Sequence, residues 1–139
     1  MNEGKLLFLS EEWLERYMEL LNSNQQYEEV AKDWEGDFIF QIDSDGKTVI
    51  EPIRAYVDLW HGKCRAIHPA APGESAEFVY SGTLENWKKL LSQEIGPIKG
   101  LFSRRFKIKG SMVKVLRHIS AAQELVATST GVPTRFLDE

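Results

Sequence analysis

Three residues with metal-binding side chains lie close together in the middle of the chain. His61, Cys64 and His68 form the pattern H-x2-C-x3-H, and imidazole and thiolate are ligands that zinc prefers. They flank a short turn and a strand, however, where successive side chains point to opposite faces. A structural zinc site needs four ligands, and a catalytic one needs three that converge. Since the sequence offers no obvious fourth ligand, we predict no metal site.

An acidic turn carries the oxygen ligands that calcium prefers. The segment Asp43-Ser44-Asp45-Gly46, with Glu51 downstream, resembles the start of a calcium-binding loop. Its glycine comes two positions too early for such a loop, and the third acidic position is missing. Asp-Gly between two apolar runs is instead a hairpin signal, so we predict a turn here.

Covalent catalysis would need Cys64 or a serine beside a base. The histidines match no hydrolase motif, and G-x-S-x-G is absent. Gly96 and Gly100 lack the Lys-Ser/Thr pair of a phosphate-binding loop, and G-x-G-x-x-G does not occur. We therefore predict no catalytic residue and no cofactor, and a small enzyme is the least favoured class of function.

The composition is that of an ordinary globular protein, with 139 residues, 42% hydrophobic and 27% charged. Cys64 is the only cysteine, which excludes an internal disulfide and suits a reducing compartment. The longest N-terminal apolar run, Leu6 to Leu9, is too short for a signal peptide or a membrane span. We expect one cytoplasmic domain over residues 1–139, with a tail from about residue 128 that frays unless its apolar residues dock.

Positive charge is concentrated in one segment, although the chain as a whole carries a net charge of −4. Residues 95–123 contain no acidic residue and seven basic ones: Lys99, Arg104, Arg105, Lys107, Lys109, Lys114 and Arg117. Such a segment can attract phosphate head groups or an anionic membrane, or it can simply be a solvated surface. Nucleic acid is not an expected partner, because the pI is about 5.5 and no binding motif accompanies these residues.

Hydrophobic periodicity predicts both helices and strands. Five segments alternate or are rich in β-formers: about 37–43, 49–60, 63–68, 75–81 and 105–109. Helices are expected after Ser10, near 24–32, after Thr83 and after Ser111, since each of these serines and the threonine is a good N-cap. The resulting fold class is α/β (α+β), with a five-stranded, mainly antiparallel sheet and helices covering one face.

Three segments together resemble the sterol carrier protein family. Residues 105–126 combine a Lys-apolar-Lys-Gly strand with an amphipathic C-terminal helix, like the end of that family's sequences. Residues 55–63 resemble the family's long strand that ends in a Gly-Lys turn, and residues 81–91 resemble the short helix after its fourth strand. The order of elements fits the family from about Ser10 to Val126.

The resemblance implies an apolar tunnel between the sheet and the helices that holds a lipid. We expect eleven residues to line it: Phe38, Phe40, Phe78, Tyr80, Trp87, Leu91, Ile98, Phe102, Met112, Leu116 and Ile119. Sequence alone does not distinguish a lined tunnel from a filled core, because aromatic residues serve both. Arg104 and Arg105 lie beside the expected tunnel and are the candidates for contact with a head group or a membrane.

By this resemblance, the protein is expected to be a non-catalytic carrier of a fatty acid, a fatty acyl-CoA or a sterol-like molecule. Its expected partners are that lipid and, transiently, an anionic membrane surface. The alternative is an interaction or dimerisation module that covers or assists a partner enzyme, because similar domains also occur attached to enzymes. A homodimer is compatible with either function.

Overall fold

The computed structural model describes residues 4–139, which form seven strands and six helices. The elements are, in order, β1 (Leu6–Leu7), α1 (Glu11–Asn22), α2 (Gln25–Val30), β2 (Glu35–Ile42), β3 (Ile53–Trp60), β4 (Lys63–Pro69), β5 (Phe78–Gly82), α3 (Leu84–Leu91), α4 (Pro97–Phe102), β6 (Phe106–Lys109), α5 (Met112–Leu116), α6 (Ile119–Ser129) and β7 (Thr134–Arg135). Within the described part of the chain, no helix is both long and apolar enough to cross a membrane.

Five strands form the main sheet, in the order β4-β3-β2-β5-β6. Strand β2 lies at its centre, where Phe38 pairs with Val57 of the antiparallel β3 and with Phe78 of the parallel β5. The outer pairs, β3 with β4 and β5 with β6, are both antiparallel. The prediction of a five-stranded, mainly antiparallel sheet is therefore confirmed, with one parallel pair in the middle.

Alternation along the strands gives the sheet one apolar face and one polar face. Phe38 and Val57 pair on the apolar face and are buried. Their sequence neighbours Asp37 and Asp58 pair on the polar face. The helices pack over the apolar face, where α1, α3, α4, α5 and α6 all contribute side chains to one apolar volume with the sheet. The predicted layer of helices on one face is therefore present.

Side-chain caps begin three helices where the sequence predicts them. The hydroxyl groups of Ser10, Thr83 and Ser111 accept hydrogen bonds from backbone N–H groups three residues onward, at 3.2–3.3 Å. Each bond satisfies one of the free N–H groups in a first helical turn. Local sequence chemistry thus determines where these helices start.

Two local predictions are wrong. The expected single C-terminal helix is two helices, because His118 leaves helical geometry between α5 and α6 with φ −129 and ψ 42. The region of Asp45 is a longer loop rather than a tight hairpin, since β3 begins only at Ile53, after Pro52. Within that loop, the Asp45 carboxylate accepts backbone N–H bonds from Lys47 and Val49, which lower its pKa.

The C-terminal residues dock rather than fray. Val132 and Phe136 are buried, and the ring of Phe136 lies 5.4 Å from that of Phe8, near the start of the chain. Strand β7 pairs in parallel with β1, so the two ends of the described chain hold each other. Leu137, another apolar residue of the tail, remains largely exposed, at 41%.

Candidate functional site

A cavity of about 80 Å³ lies between the apolar face of the sheet and the helices. The sheet contributes four of its wall residues: Phe38, Phe40, Tyr80 and Ile108. The remaining wall residues come from the N-terminal segment and from every helix except α2: Phe8, Leu9, Trp13, Tyr17, Trp87, Leu90, Leu91, Pro97, Ile98, Leu101, Val115, Ala122, Leu125, Val126 and Ser129. The wall is therefore mainly apolar and aromatic. We call the volume that it surrounds the main cavity.

The few polar groups in this wall are used within the protein. The Tyr80 hydroxyl donates to the Pro97 carbonyl at 2.9 Å, and the Tyr17 hydroxyl donates to the Leu125 carbonyl at 2.7 Å. The indole N–H of Trp87 donates to the Gln41 carbonyl at 2.8 Å. Burial raises the pKa of both tyrosines, so they remain neutral. The main cavity can therefore receive a hydrocarbon chain, but it has no spare side-chain donor for an anion.

The structure brings six of the eleven predicted tunnel residues together around the main cavity: Phe38, Phe40, Tyr80, Trp87, Leu91 and Ile98. They come from two strands and two helices, which agrees with the apolar faces that their spacing predicts. Ile98 was nominated only by the family resemblance, because Gly and Pro interrupt its segment. Its position follows from the short helix α4, whose Ile98 and Leu101 face the cavity.

The other five predicted residues lie outside this cavity. Phe78 is fully buried but stacks behind Phe38, with ring centres 5.1 Å apart. Phe102 follows Leu101 by one residue on α4, so the helical turn of about 100° per residue points it to solvent at 68% exposure. Ile119 is 39% exposed, because the helix break at His118 takes it out of phase with Met112 and Leu116. Met112 and Leu116 are both half-buried.

Sequence reasoning missed the part of the wall that comes from the N-terminal segment and α1. Trp13 and Tyr17 line the cavity, together with Phe8 and Leu9. The amphipathic face of α1 and the apolar run before it predicted burial, but not against which surface. Leu125 and Val126 of α6 were missed for the same reason, since periodicity identifies a buried face and not the residues it meets.

A smaller cavity of about 30 Å³ adjoins the main one, and we call it the side cavity. Four residues line both cavities: Phe38, Val115, Ala122 and Leu125. Trp34 and His118 line the side cavity but not the main one. Side chains alone therefore separate the two volumes beneath α6.

The residues of the basic segment do not converge on one point. Arg104 and Arg105 are exposed in the turn after α4, where Arg104 has a positive φ of 63°. Lys107 and Lys109 are exposed on the polar face of β6. Lys114 turns to the other end of the sheet, where its ammonium group lies 2.8 Å from a carboxylate oxygen of Glu77.

The three residues of the H-x2-C-x3-H pattern have different partners and do not form one site. His61 contacts Glu35 and His68 contacts Glu74, both through Nε2. Cys64 lies on the apolar face of β4, where burial raises the pKa of its thiol to about 12. Among the described residues, no group of three or more His, Cys, Asp or Glu side chains is placed to hold a metal ion.

Comparison with known proteins assigns this architecture to a family. Residues 14–123 match the SCP-2 sterol transfer family, so the chain belongs to that family. A search of curated proteins gives no match. Among solved structures, a crystal structure of sterol carrier protein 2 is similar with a TM-score of 0.83 and 28% identity, covering 90% of this chain and 98% of that one.

Two further solved structures share the fold. A conserved hypothetical protein from Thermus thermophilus has a TM-score of 0.84 and 27% identity, covering 95% of this chain and 92% of its own. Sterol carrier protein 2 from Yarrowia lipolytica has a TM-score of 0.58 at 14% identity, covering 84% of this chain and 88% of its own, and shows the fold alone. Membership of the family indicates a role in lipid binding or transfer.

Proposed function

We propose that this protein is a non-catalytic cytoplasmic carrier whose main cavity holds the apolar part of a lipid. The observation that carries the proposal is the main cavity itself, whose walls are apolar and whose polar hydrogens are already donated within the protein. A site with no spare donor favours a long hydrocarbon chain. A flexible acyl chain can fit a cavity of about 80 Å³ more readily than a rigid ring system can, so we place a fatty acid or a fatty acyl-CoA before a sterol-like molecule.

The ligand must displace side chains in order to enter. A cavity of ~150 Å³ is what an engineered apolar site needs to hold a benzene ring, and the main cavity has about 80 Å³. Several of its wall residues are only half-buried, and four of those on helices have long side chains that can move without opening the centre of the core: Leu91, Ile98, Leu125 and Val126. Burial of each methylene contributes about 0.8 kcal/mol, so a long chain offsets this rearrangement.

The lipid content of the purified protein tests the proposal most directly. We expect mass spectrometry of organic extracts to find a co-purifying lipid, and a fluorescent fatty acid to bind in a titration. Ala122→Phe should weaken binding at least tenfold, because Ala122 lines both cavities. Ala127→Phe is the matched control, since it lies on the same helix but outside both walls. A lipid-free protein that binds no fatty acid would refute the carrier.

We further propose that Arg104 and Arg105 contact an anionic membrane while the ligand is exchanged. Both are exposed and follow α4, whose Leu101 lines the main cavity. Positive charge near an opening speeds the encounter with an anionic surface. Arg104→Glu with Arg105→Glu should slow lipid transfer from anionic vesicles, and added salt should shrink the difference. Equal rates from anionic and neutral vesicles at low salt would show a merely solvated surface.

An interaction or dimerisation module is the second candidate, because no helix among residues 4–139 covers the polar face of the sheet. Trp60 on that face is 38% exposed, and a groove of about 350 Å³ lies beside it. A module should self-associate or bind a partner enzyme at micromolar concentration. Light scattering that shows a monomer, together with tight fatty-acid binding, would favour the carrier.

A further inference from the structure

The three histidines of the chain differ in what their side chains contact. His61 and His68 lie on the surface, and each contacts a carboxylate, Glu35 and Glu74 respectively. His118 is half-buried and contacts no acidic group among residues 4–139. It is also the histidine that lines a cavity. Its environment is therefore not explained by a surface ion pair.

Hydrogen bonding fixes the state of one nitrogen of His118. Nδ1 lies 3.0 Å from the Lys114 carbonyl oxygen, and because a carbonyl can only accept, Nδ1 carries a hydrogen. Nε2 has no hydrogen-bond partner within the described chain. The ring packs edge-on against Trp34 at 5.0 Å, which holds its orientation. His118 thus lines the side cavity and carries one polar atom, Nε2, that no other described residue uses.

The two cavities lie side by side beneath α6, and they differ in the polar groups that they offer a ligand. The main cavity has no spare donor, whereas the imidazole of His118 lines the side cavity. Rotation of Leu125 or Phe38, which line both volumes, would join them into one passage. A ligand that filled this passage would have its apolar end among the aromatic residues of α1 and α3 and its polar end at His118.

The charges around His118 favour an anion. Arg117 is exposed next to it, and α6 begins at Ile119 without a side-chain cap, so the helix dipole adds positive potential. Lys114 is one turn away, and its ammonium group is occupied by Glu77 and by the Glu35 carbonyl. The carboxylate of Glu77, just before β5, is thereby paired with Lys114.

We propose that His118 binds the carboxyl group of a fatty acid whose chain occupies the joined cavities. The inference rests on the proposed carrier function and specifies the ligand's class and orientation. A carboxylic acid that reaches Nε2 gives its proton to that nitrogen, and the resulting imidazolium donates an N–H bond to the carboxylate. The tail then extends beneath α6 toward Trp13 and Leu91. Arg104 and Arg105 have no part in holding the head group and act only at the membrane.

Paired ligands test this assignment. Wild-type protein should bind a 16-carbon fatty acid at least roughly tenfold more tightly than its methyl ester, because a charge-assisted hydrogen bond is lost in the ester. His118→Leu should remove the preference for the acid over the ester, and His118→Gln should restore part of it. His68→Leu is the control and should keep the full preference.

A second measurement uses the unaltered protein. On binding the acid, the ¹⁵N resonance of His118 Nε2 should move toward the imidazolium position, while those of His61 and His68 stay in place. Binding of acid and ester with equal affinity, or an unchanged preference in His118→Leu, would overturn the assignment and leave the carrier intact. Failure of the wild-type protein to bind either ligand would instead refute the carrier and the assignment together.

Discussion

The two faces of the main sheet use the same strands for different purposes. On β2, Phe38 and Phe40 face the main cavity, while Asp37 between Gly36 and Phe38 faces outward. The outer groove is larger, at about 350 Å³ against about 80 Å³ for the main cavity. Volume therefore does not identify the functional side; the chemistry of the walls does.

The charged side chains of the outer groove already have partners within the protein. Asp37 accepts hydrogen bonds from the Tyr56 hydroxyl at 2.7 Å and from the Glu77 N–H at 2.7 Å, and the first of these raises the pKa of Tyr56 to about 12. Arg65 forms two contacts with Asp58, at 3.1 and 3.2 Å. The charged groups of the outer groove therefore already have partners within the protein. The apolar walls of the inner face can contact a bound hydrocarbon as well as they contact one another.

The largest expected contrast between the faces is chemical access. Burial raises the pKa of the Cys64 thiol to about 12, so at pH 8 the native protein contains almost no thiolate at this position. We expect thiol reagents to label Cys64 only as fast as the protein opens. In a Cys64→Ser background, Ala66→Cys on the polar face should react orders of magnitude faster. Equal labelling rates would show that the inner face is open to solvent.

Removal of aromatic groups should show the next largest effect. Phe78→Ala deletes a fully buried ring and should lower the free energy of unfolding by about 3–5 kcal/mol. Phe102→Ala is the matched control, because the same ring is 68% exposed there and should change stability by less than about 0.5 kcal/mol. Urea denaturation measures both variants. A similar loss in the two would mean that Phe102 is covered in solution.

Gly110 lies at the junction between β6 and α5, where the inner face of the sheet leaves no room for a side chain. Its φ is 122°, and a Cβ atom there would lie 2.4 Å from the Phe78 ring. Gly110→Ala combines this clash with backbone strain and should cost roughly 3 kcal/mol or more. Gly46→Ala, at φ 72° with nothing within 4 Å, carries backbone strain alone. Thermal melting should therefore rank Gly110→Ala well below Gly46→Ala, and equal costs would contradict the close contact.

The cap of α5 should have a smaller and purely structural effect. Ser111→Ala removes the acceptor of the Lys114 N–H and should cost about 1 kcal/mol. Lipid affinity should not change, since Ser111 lies in neither cavity wall. Ser120→Ala, at an exposed site inside α6, is the control for stability. A selective loss of lipid binding in Ser111→Ala would show that the residue belongs to the ligand site.

The sequence predicted what depends on local chemistry and left unpredicted what depends on distant partners. Alternation in residues such as Phe38 and Phe40 indicates a half-buried strand, and Ser111 indicates a helix start, because both signals operate over a few residues. The apolar spacing from Val115 to Ile119 continues across the break at His118, so periodicity could not reveal two helices. The pairing of β1 with β7 joins opposite ends of the chain, and no local pattern encodes it.

The same distinction applies to the site. Six of the eleven residues predicted to line a tunnel lie in the wall of the main cavity, five of them because an apolar face must be buried and Ile98 through the family resemblance. A buried side chain, however, can either pack in the core or line a cavity. Phe78 and Phe38 are indistinguishable in sequence, and only their stacking order decides that Phe38 meets the cavity. His118 belongs to no motif, and only the structure shows that, of the three histidines, it alone contacts no carboxylate among residues 4–139.

The smallest expected effect lies on the polar face. Arg65 is half-exposed, stacks over Trp60 at 4.3 Å and contacts Asp58, but exposed ion pairs contribute only about 0–1 kcal/mol. Arg65→Gln should therefore lower the free energy of unfolding by less than about 1 kcal/mol, and 0.5 M salt should reduce the difference further. Arg65→Lys, which keeps the charge but loses the planar stacking, separates the two contributions. Urea denaturation at two salt concentrations measures them. If Arg65→Gln lowered the free energy of unfolding as much as Phe78→Ala, the polar face would have to be buried in an assembly. That result would favour the interaction module over the carrier.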